Sequence, residues 1–306
     1  MKCKAIGPDC PPDGSSLGYA PNMAASIIFL VLFSISLVGH LALGRKYKTW
    51  TFLIAMGLGS SSELIGYLGR ILMHNNPYKL STFLVQIVCL TIGPAFYSAG
   101  LYLCLSRIII VYGQNISRIR PVWYTRFFIN CDIISLSLQG AGGGVASAAT
   151  KDSTMALGNH LMLAGLIFQI VSLVLFAFAC GDFAILAKRF ASSRNPEYSK
   201  LRASTKFRGF LWAAVVSFAT IFTRCVYRVV ELGGGWDNSL MREETPFIIL
   251  ESCMIVIAVY ALIIFHPGVG FQNKFNDIKY QTVHGLESGK EEISLTGAEG
   301  APCLRQ

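Results

Sequence analysis

The chain has 306 residues, of which 53% are hydrophobic and 14% are charged, and its mean hydropathy is +0.52. This composition is too apolar for an ordinary soluble domain and indicates a membrane protein. The formal net charge of +9 is the only feature that would suit a nucleic-acid partner, so the sequence predicts no nucleic-acid binding.

The apolar residues form stretches long enough to cross the hydrocarbon of a bilayer, which takes roughly 20 residues in a helix. There are seven such stretches: Asn22–Leu43, Trp50–Met73, Leu80–Ile110, Tyr124–Ala148, Ala156–Ala187, Gly209–Val230 and Phe247–Phe265. The last is followed by His266-Pro267-Gly268, a sequence that ends helices. The sequence therefore predicts an all-α integral membrane protein, a bundle of seven transmembrane helices over residues 22–268.

The two ends of the chain differ from this apolar domain. Residues 1–21 contain several prolines and no apolar core of a cleavable signal peptide, so we expect an extracellular segment that is translocated intact. Cys3 and Cys10 lie in it, and whether they form a disulfide is left open. Residues 269–306 are polar and Gly-rich, which predicts a mostly disordered cytoplasmic tail.

The distribution of Lys and Arg predicts the orientation, because short cytoplasmic loops retain basic residues and translocated loops do not. The connections after the first, third and fifth stretches hold twelve Lys and Arg residues, seven of them between Lys188 and Arg208, whereas the other connections and the amino-terminal segment hold five. We therefore expect the amino terminus outside and the carboxyl terminus in the cytoplasm. Separately, we expect the protein to reside in the plasma membrane. The basic loop from Lys188 to Arg208 would lie against anionic lipid.

Polar side chains inside the predicted spans are the best indicators of function. A charge within the bilayer costs a few kcal/mol or more, so it needs either an interaction partner or a functional role. The candidates for substrate binding or transport are Glu63 and Arg70 on the second span, Asp132 and Gln139 on the fourth, Arg224, Arg228 and Glu231 on the sixth, and Glu251 on the seventh.

Depth separates these candidates into two groups. At 1.5 Å of rise per residue, all the charged ones except Asp132 fall in the outer half of the membrane. Asp132 is then the lone acid in the inner half. A second interpretation stays open, in which Glu63 with Arg70, and Arg228 with Glu231, only hold helices together or reach the outer surface.

Small and helix-breaking residues lie beside the polar ones. Residues 140–144 read Gly-Ala-Gly-Gly-Gly in the fourth span, and Pro94 lies in the third. Such positions permit either close helix packing or local unwinding near a transport site.

Together these motifs resemble the fungal RTA-like family, also called lipid-translocating exporters. The resemblance covers about Ala20 to Gly268 and rests on Glu63-x-x-Gly66-Tyr67-x-x-Arg70, on Pro94 with Ala99 and Tyr102, on Asp132 with Gln139 and Gly142-Gly143-Gly144, on Arg224-x-x-x-Arg228-x-x-Glu231 with Gly234, and on Glu244 ahead of Glu251. The family tends to have Asp where this chain has Glu251. The resemblance implies seven helices and a role in moving, or resisting, amphipathic molecules such as sphingoid bases and sterol-like or porphyrin-like compounds.

Other functional classes find less support in the sequence. The five histidines form no His-x-x-x-His pair, and no phosphate-binding G-x-x-x-x-G-K-[ST] occurs, so we expect no enzyme, metal or cofactor. A seven-helix receptor or sensor for lipid-like ligands is the alternative, because its topology would be identical. The sequence favours an exporter whose partners are membrane lipids and an amphipathic substrate, and it leaves the oligomeric state open.

Overall fold

The computed structural model describes residues 19, 21–149, 151–234, 243–275 and 278, and in these residues it contains helices and no strand. The long helices are α1 (Met23–Lys46), α2 (Trp50–Asn75), α3 (Leu80–Tyr112), α4 (Pro121–Ala148), α5 (Asp152–Arg189), α6 (Thr205–Gly233) and α7, which comprises Glu244–Pro246, the π-helix Phe247–Cys253 and Met254–Ile264. Short helices lie at Gln114–Ile116, Ala191–Ser193, Pro196–Tyr198, Ser199–Ala203 and Pro267–Gly270. Cys3 and Cys10 lie outside the described residues.

Every one of these long helices except α4 is long and apolar enough to cross a membrane, which makes six candidate spans in the described part of the chain. Helix α4 has the length, but Asp132, Gln139 and the glycines of residues 140–144 make it less apolar. The outer surface suits a lipid environment, because large apolar side chains such as Phe178 and Trp212 are each 71% exposed. The chain is a multi-pass integral membrane protein.

Helices α2 and α3 pack antiparallel along much of their length, as do α4 and α5. On α2 and α3, Gly59 lies against Tyr97 and Gly66 against Leu90. On α4 and α5, Gly142 lies against the backbone of Met162. Because the chain reverses at each connection, α1 and α7 run parallel and their ends meet, with Asn22 contacting Glu244.

Among the glycines of α4, Gly142 packs closely against α5, and the helix continues through all of them without a break. A methyl group on Gly142 would lie 2.5 Å from the amide nitrogen of Met162, and one on Gly158 would lie 2.6 Å from that of Ala146. Helix α3 likewise continues past Pro94. The irregular backbone lies instead in α7, at the π-helix Phe247–Cys253, where no sequence signal predicted it.

The first residues of the tail, which the sequence predicts to be mostly disordered, are folded. After Pro267–Gly270 the side chains of Phe271, Phe275 and Ile278 are fully buried. Arg107 of α3 donates a hydrogen bond from Nε to the carbonyl of Phe275 (3.0 Å), and its guanidinium lies 3.7 Å from the centre of that ring. Aromatic residues spaced along this segment let it pack under the bundle, which its polar overall composition concealed.

Candidate functional site

The charged candidates from α2, α6 and α7 come together inside the bundle, near the end where α1 and α7 begin. With Glu244 they form what we call the ion-pair cluster: Glu63, Arg70, Arg224, Arg228, Glu231, Glu244 and Glu251. All are buried except Glu244, whose side chain is 22% exposed. Isolated charges at such positions would be costly, so their grouping offsets the loss of water.

The deepest ion pair joins α6 to the π-helical turn of α7. Nη2 of Arg224 lies 2.5 Å from Oε1 of Glu251, and it also donates to the carbonyl of Leu90. Neither Nε nor Nη1 of Arg224, nor Oε2 of Glu251, has a hydrogen-bond partner among the described residues. This pair therefore retains polar atoms able to bind a further polar group.

Glu63 lies beside this pair, at a point where α3 has a glycine. A methyl group on Gly93 would lie only 2.5 Å from Oε1 of Glu63, so a larger residue at position 93 would displace the carboxylate. Glu63 interacts electrostatically with Arg224, Arg228 and Glu251. The geometry thus brings together four of the candidates that the sequence predicted for the outer half of the membrane.

Arg228 and Glu231 form an ion pair, and the hydroxyl of Tyr227 donates to Glu231 at 3.3 Å. Because all three residues lie on α6, this pair does not connect two helices by itself.

Arg70 pairs with a different acid from the one its own helix offers. Its Nη2 lies 2.7 Å from Oε1 of Glu244 and 3.1 Å from the hydroxyl of Tyr19, and its guanidinium lies 4.1 Å from the centre of the Phe247 ring. The interpretation in which Glu63 pairs with Arg70 is therefore wrong. Glu244 was known only from the family pattern and was not among the predicted site residues.

Asp132 lies apart from the ion-pair cluster, on the face of α4 that packs against α3. The hydroxyl of Ser98 donates to its Oδ2 at 3.1 Å, and Tyr102 is adjacent, whereas Oδ1 has no hydrogen-bond partner among the described residues. No described Lys, Arg or His forms an ion pair with this carboxylate. Both Asp132 and Glu251 act electrostatically on buried Cys225, so the carboxylate and the cluster lie near the same residue of α6.

Gln139 is not part of either group. Its amide nitrogen donates to the hydroxyl of Ser135 (2.7 Å) and to Oε1 of Gln169 on α5 (3.1 Å). Gln169 was missed from the sequence because a single uncharged side chain in an apolar span gives little signal.

Two histidines that are far apart in sequence meet at the opposite end of the bundle. The rings of His40 and His266 are fully buried with centroids 6.4 Å apart. A His-x-x-x-His pattern within one helix could not reveal this contact, which arises because α1 and α7 run parallel. In the described part of the chain no group of three or more His, Cys, Asp or Glu side chains is placed to hold a metal ion.

Comparisons with known proteins identify relatives of this chain. The family model described as RTA1 like protein matches residues 56–274. Among curated proteins, the chain is 35% identical to the sphingoid long-chain base transporter RSB1 of Saccharomyces cerevisiae strain Lalvin EC1118, over 87% of this chain and 77% of that one. It is 28% identical to protein RTM1 of Saccharomyces cerevisiae, over 78% of this chain and 75% of that one.

A more distant relative is the lipid-translocating exporter-like protein RTA1 of Leptosphaeria maculans, which is 27% identical over 85% of this chain and 52% of its own. No solved structure matches the chain. The family model covers the ion-pair cluster from Glu63 to Glu251 as well as Asp132. The chain belongs to the RTA1-like protein family.

Proposed function

We propose that this protein moves sphingoid bases across the membrane, as the name of its relative RSB1 states for that protein. A sphingoid base combines a long hydrocarbon chain with a cationic amine and hydroxyl groups. Transport of such a molecule needs a route for the apolar chain and a buried acceptor for the amine.

The observation that carries the proposal is that Asp132 is buried without a basic partner in the described part of the chain. Among the described buried acids, Glu231 and Glu251 are each paired with an arginine, and Glu63 lies within the electrostatic influence of two arginines of α6. Asp132 has no such basic neighbour among the described residues, and its Oδ1 has no hydrogen bond with them. An ammonium group beside Asp132 would supply the missing charge and hydrogen bond. The carboxylate is thus the best candidate for binding the amine.

The ion-pair cluster supplies the second part of the proposed route. Free donor atoms of Arg224 and the free Oε2 of Glu251 suit the hydroxyl groups of the head. Asp132 and Glu251 both lie near Cys225 of α6, and we propose that the head group moves between these two acids during transport. The remaining candidates, Glu63, Arg70, Arg228, Glu231 and Gln139, would position these residues.

We further propose seven spans, with the amino terminus outside and the tail in the cytoplasm of the plasma membrane. Helix α4 packs against both α3 and α5, since Ser98 contacts Asp132 and Ser135 contacts Gly165, so it should cross wherever they cross. The twelve basic residues at the other end of the bundle support the orientation. The ion-pair cluster would then lie in the outer leaflet half.

The test is movement of a labelled sphingoid base between leaflets of proteoliposomes, with and without an imposed pH gradient. We expect the purified protein to move a fluorescent dihydrosphingosine faster than protein-free liposomes do. The matched control is the same molecule with its amine acetylated, which the protein should not move faster than protein-free liposomes do, because it lacks the ammonium group that Asp132 would bind. If the protein moves neither molecule above the protein-free rate, the transport proposal is wrong and a receptor or sensor becomes the better interpretation.

A further inference from the structure

A deep apolar cleft separates α5 from α6 at the end of the bundle away from the ion-pair cluster. Its volume is about 570 Å³, within the roughly 300–1,000 Å³ typical of small-molecule sites. Helix α3 forms its floor through residues such as Leu101 and Ile108, and Phe176 and Phe218 pack together at one end with ring centroids 5.6 Å apart. The cleft therefore lies between three helices and has a closed end.

The cleft opens toward lipid and extends along the helix axis. Val215 lines it and is 57% exposed, so hydrocarbon can enter from the side. From Phe176 to Lys188 the α5 wall rises about 18 Å at 1.5 Å per residue, slightly more than the ~15 Å depth of one leaflet's hydrocarbon. Its length and its apolar walls suit one acyl chain lying along the bundle.

The other end of the cleft is basic. Lys188 and Arg194 line it, and Arg194 is held there by a hydrogen bond from Nε to the carbonyl of Ala187 (2.9 Å). The guanidinium groups of Arg194 and Arg202 each lie 5.8 Å from the centre of the Tyr112 ring. Three cations thus gather where the chain-shaped cleft meets the polar surface.

No described acid neutralises this charge, since none forms an ion pair with Lys188, Arg194 or Arg202. Burial, and then the neighbouring charge of Arg194, lower the pKa of Arg202, as expected where positive charges accumulate. An anion at the mouth would relieve this repulsion and accept hydrogen bonds from the free guanidinium nitrogens.

We propose that the cleft between α5 and α6 is a binding site for an anionic phospholipid of the bilayer, with one acyl chain between the helices and the phosphate on Lys188 and Arg194. Its ligand differs from the proposed transport substrate, because its basic mouth repels the cationic amine of a sphingoid base. The phospholipid acts here as a bound lipid that holds α5 and α6 together.

Native mass spectrometry of the delipidated, purified full-length protein tests the site. The probes are phosphatidylserine and phosphatidylcholine with identical acyl chains. We expect phosphatidylserine to bind about tenfold more tightly than phosphatidylcholine, and the double variant Lys188→Gln with Arg194→Gln to lose that preference, because it removes charge-assisted hydrogen bonds. Equal binding of the two lipids by the wild-type protein would overturn the proposal.

Two matched controls separate a built site from general attraction to a basic loop. Lys200→Gln with Lys206→Gln removes the same charge from exposed positions of that loop and should leave the preference intact. Ala184→Trp, which fills the cleft, should weaken the binding of both lipids about tenfold. Ala219→Trp, on the exposed face of α6, should leave their binding unchanged. The proposal is wrong if the two double variants lower phosphatidylserine binding equally, if Ala184→Trp has no effect on lipid binding, or if added dihydrosphingosine displaces phosphatidylserine.

Discussion

Arg70 of α2 forms its ion pair with Glu244 at the start of α7, 174 residues later in the sequence, and not with Glu63 on its own helix. The backbone amide of Asn22, which caps α1, donates to the same carboxylate at 2.7 Å. One acid thus ties together the ends of α1, α2 and α7.

The first prediction concerns this pair. Arg70→Gln and Glu244→Gln should each destabilise the protein, and the double variant should lose less than the sum, with a coupling free energy of about 0.5–3 kcal/mol. Glutamine at 244 retains an oxygen for the Asn22 amide, so the cycle isolates the ion pair. Equilibrium unfolding in mixed detergent micelles measures it.

The exposed pair of Arg118 and Asp182 is the control for that cycle. Its nitrogen and oxygen are 3.5 Å apart and its side chains are 71% and 45% exposed, so a coupling of about 0–1 kcal/mol is expected. A coupling at Arg70 and Glu244 no larger than the control value would show that the pair does not hold the helix ends.

The second prediction concerns the glycines of α4. Gly142→Ala should destabilise the protein by about 1–3 kcal/mol, because its methyl group would collide with the backbone of α5. Gly144→Ala is the matched control, since nothing lies within 4 Å of the added methyl group. It should be neutral or slightly stabilising, because alanine favours a helix more than glycine does. Equal stabilities of the two variants in thermal unfolding would contradict the close packing of α4 and α5.

The third prediction separates transport from packing at Asp132. Asp132→Asn should reach the membrane at normal abundance, because asparagine can still accept the Ser98 hydrogen bond. Its rate of sphingoid-base movement in proteoliposomes should fall at least about tenfold, because the charged partner of the amine is lost.

Ser98→Ala is the control for Asp132, since it removes the hydrogen bond and leaves the carboxylate. It should retain most of the transport rate. Wild-type transport by Asp132→Asn would refute the role, and poor abundance of that variant would indicate that the carboxyl group is structural.

The fourth prediction tests the orientation. Asn115-Ile116-Ser117 is the only acceptor sequence for N-glycosylation in the chain, and it lies at an exposed turn beside the basic end of the bundle. We expect Asn115 to carry no glycan in a eukaryotic host, because this end should face the cytoplasm. The measurement is the mobility shift on glycosidase treatment.

A positive control for the glycosylation test is Gly14→Asn, which creates an acceptor in the amino-terminal segment ahead of Ser15 and Ser16. That variant should be glycosylated if the segment is translocated. The predicted topology would be contradicted by a glycan at Asn115, or by the absence of a glycan at position 14 of the Gly14→Asn variant.

The sequence alone determined the helical class, the approximate positions of the helices and the buried candidates, because bilayer thickness and the cost of buried charge act on each segment separately. It also carried the family, whose motifs run from Glu63 to Glu251. These properties depend on a local stretch of residues and not on the segments that pack against it.

Only the tertiary structure decided the pairings, because they depend on how far each helix is rotated and how closely its neighbour approaches. Spacing along α2 made Glu63 the obvious partner of Arg70, yet the parallel packing of α1 and α7 brought Glu244 nearer. The same packing joined His40 to His266. The cleft between α5 and α6 likewise arises from the packing of distant segments, which periodicity within one segment cannot encode.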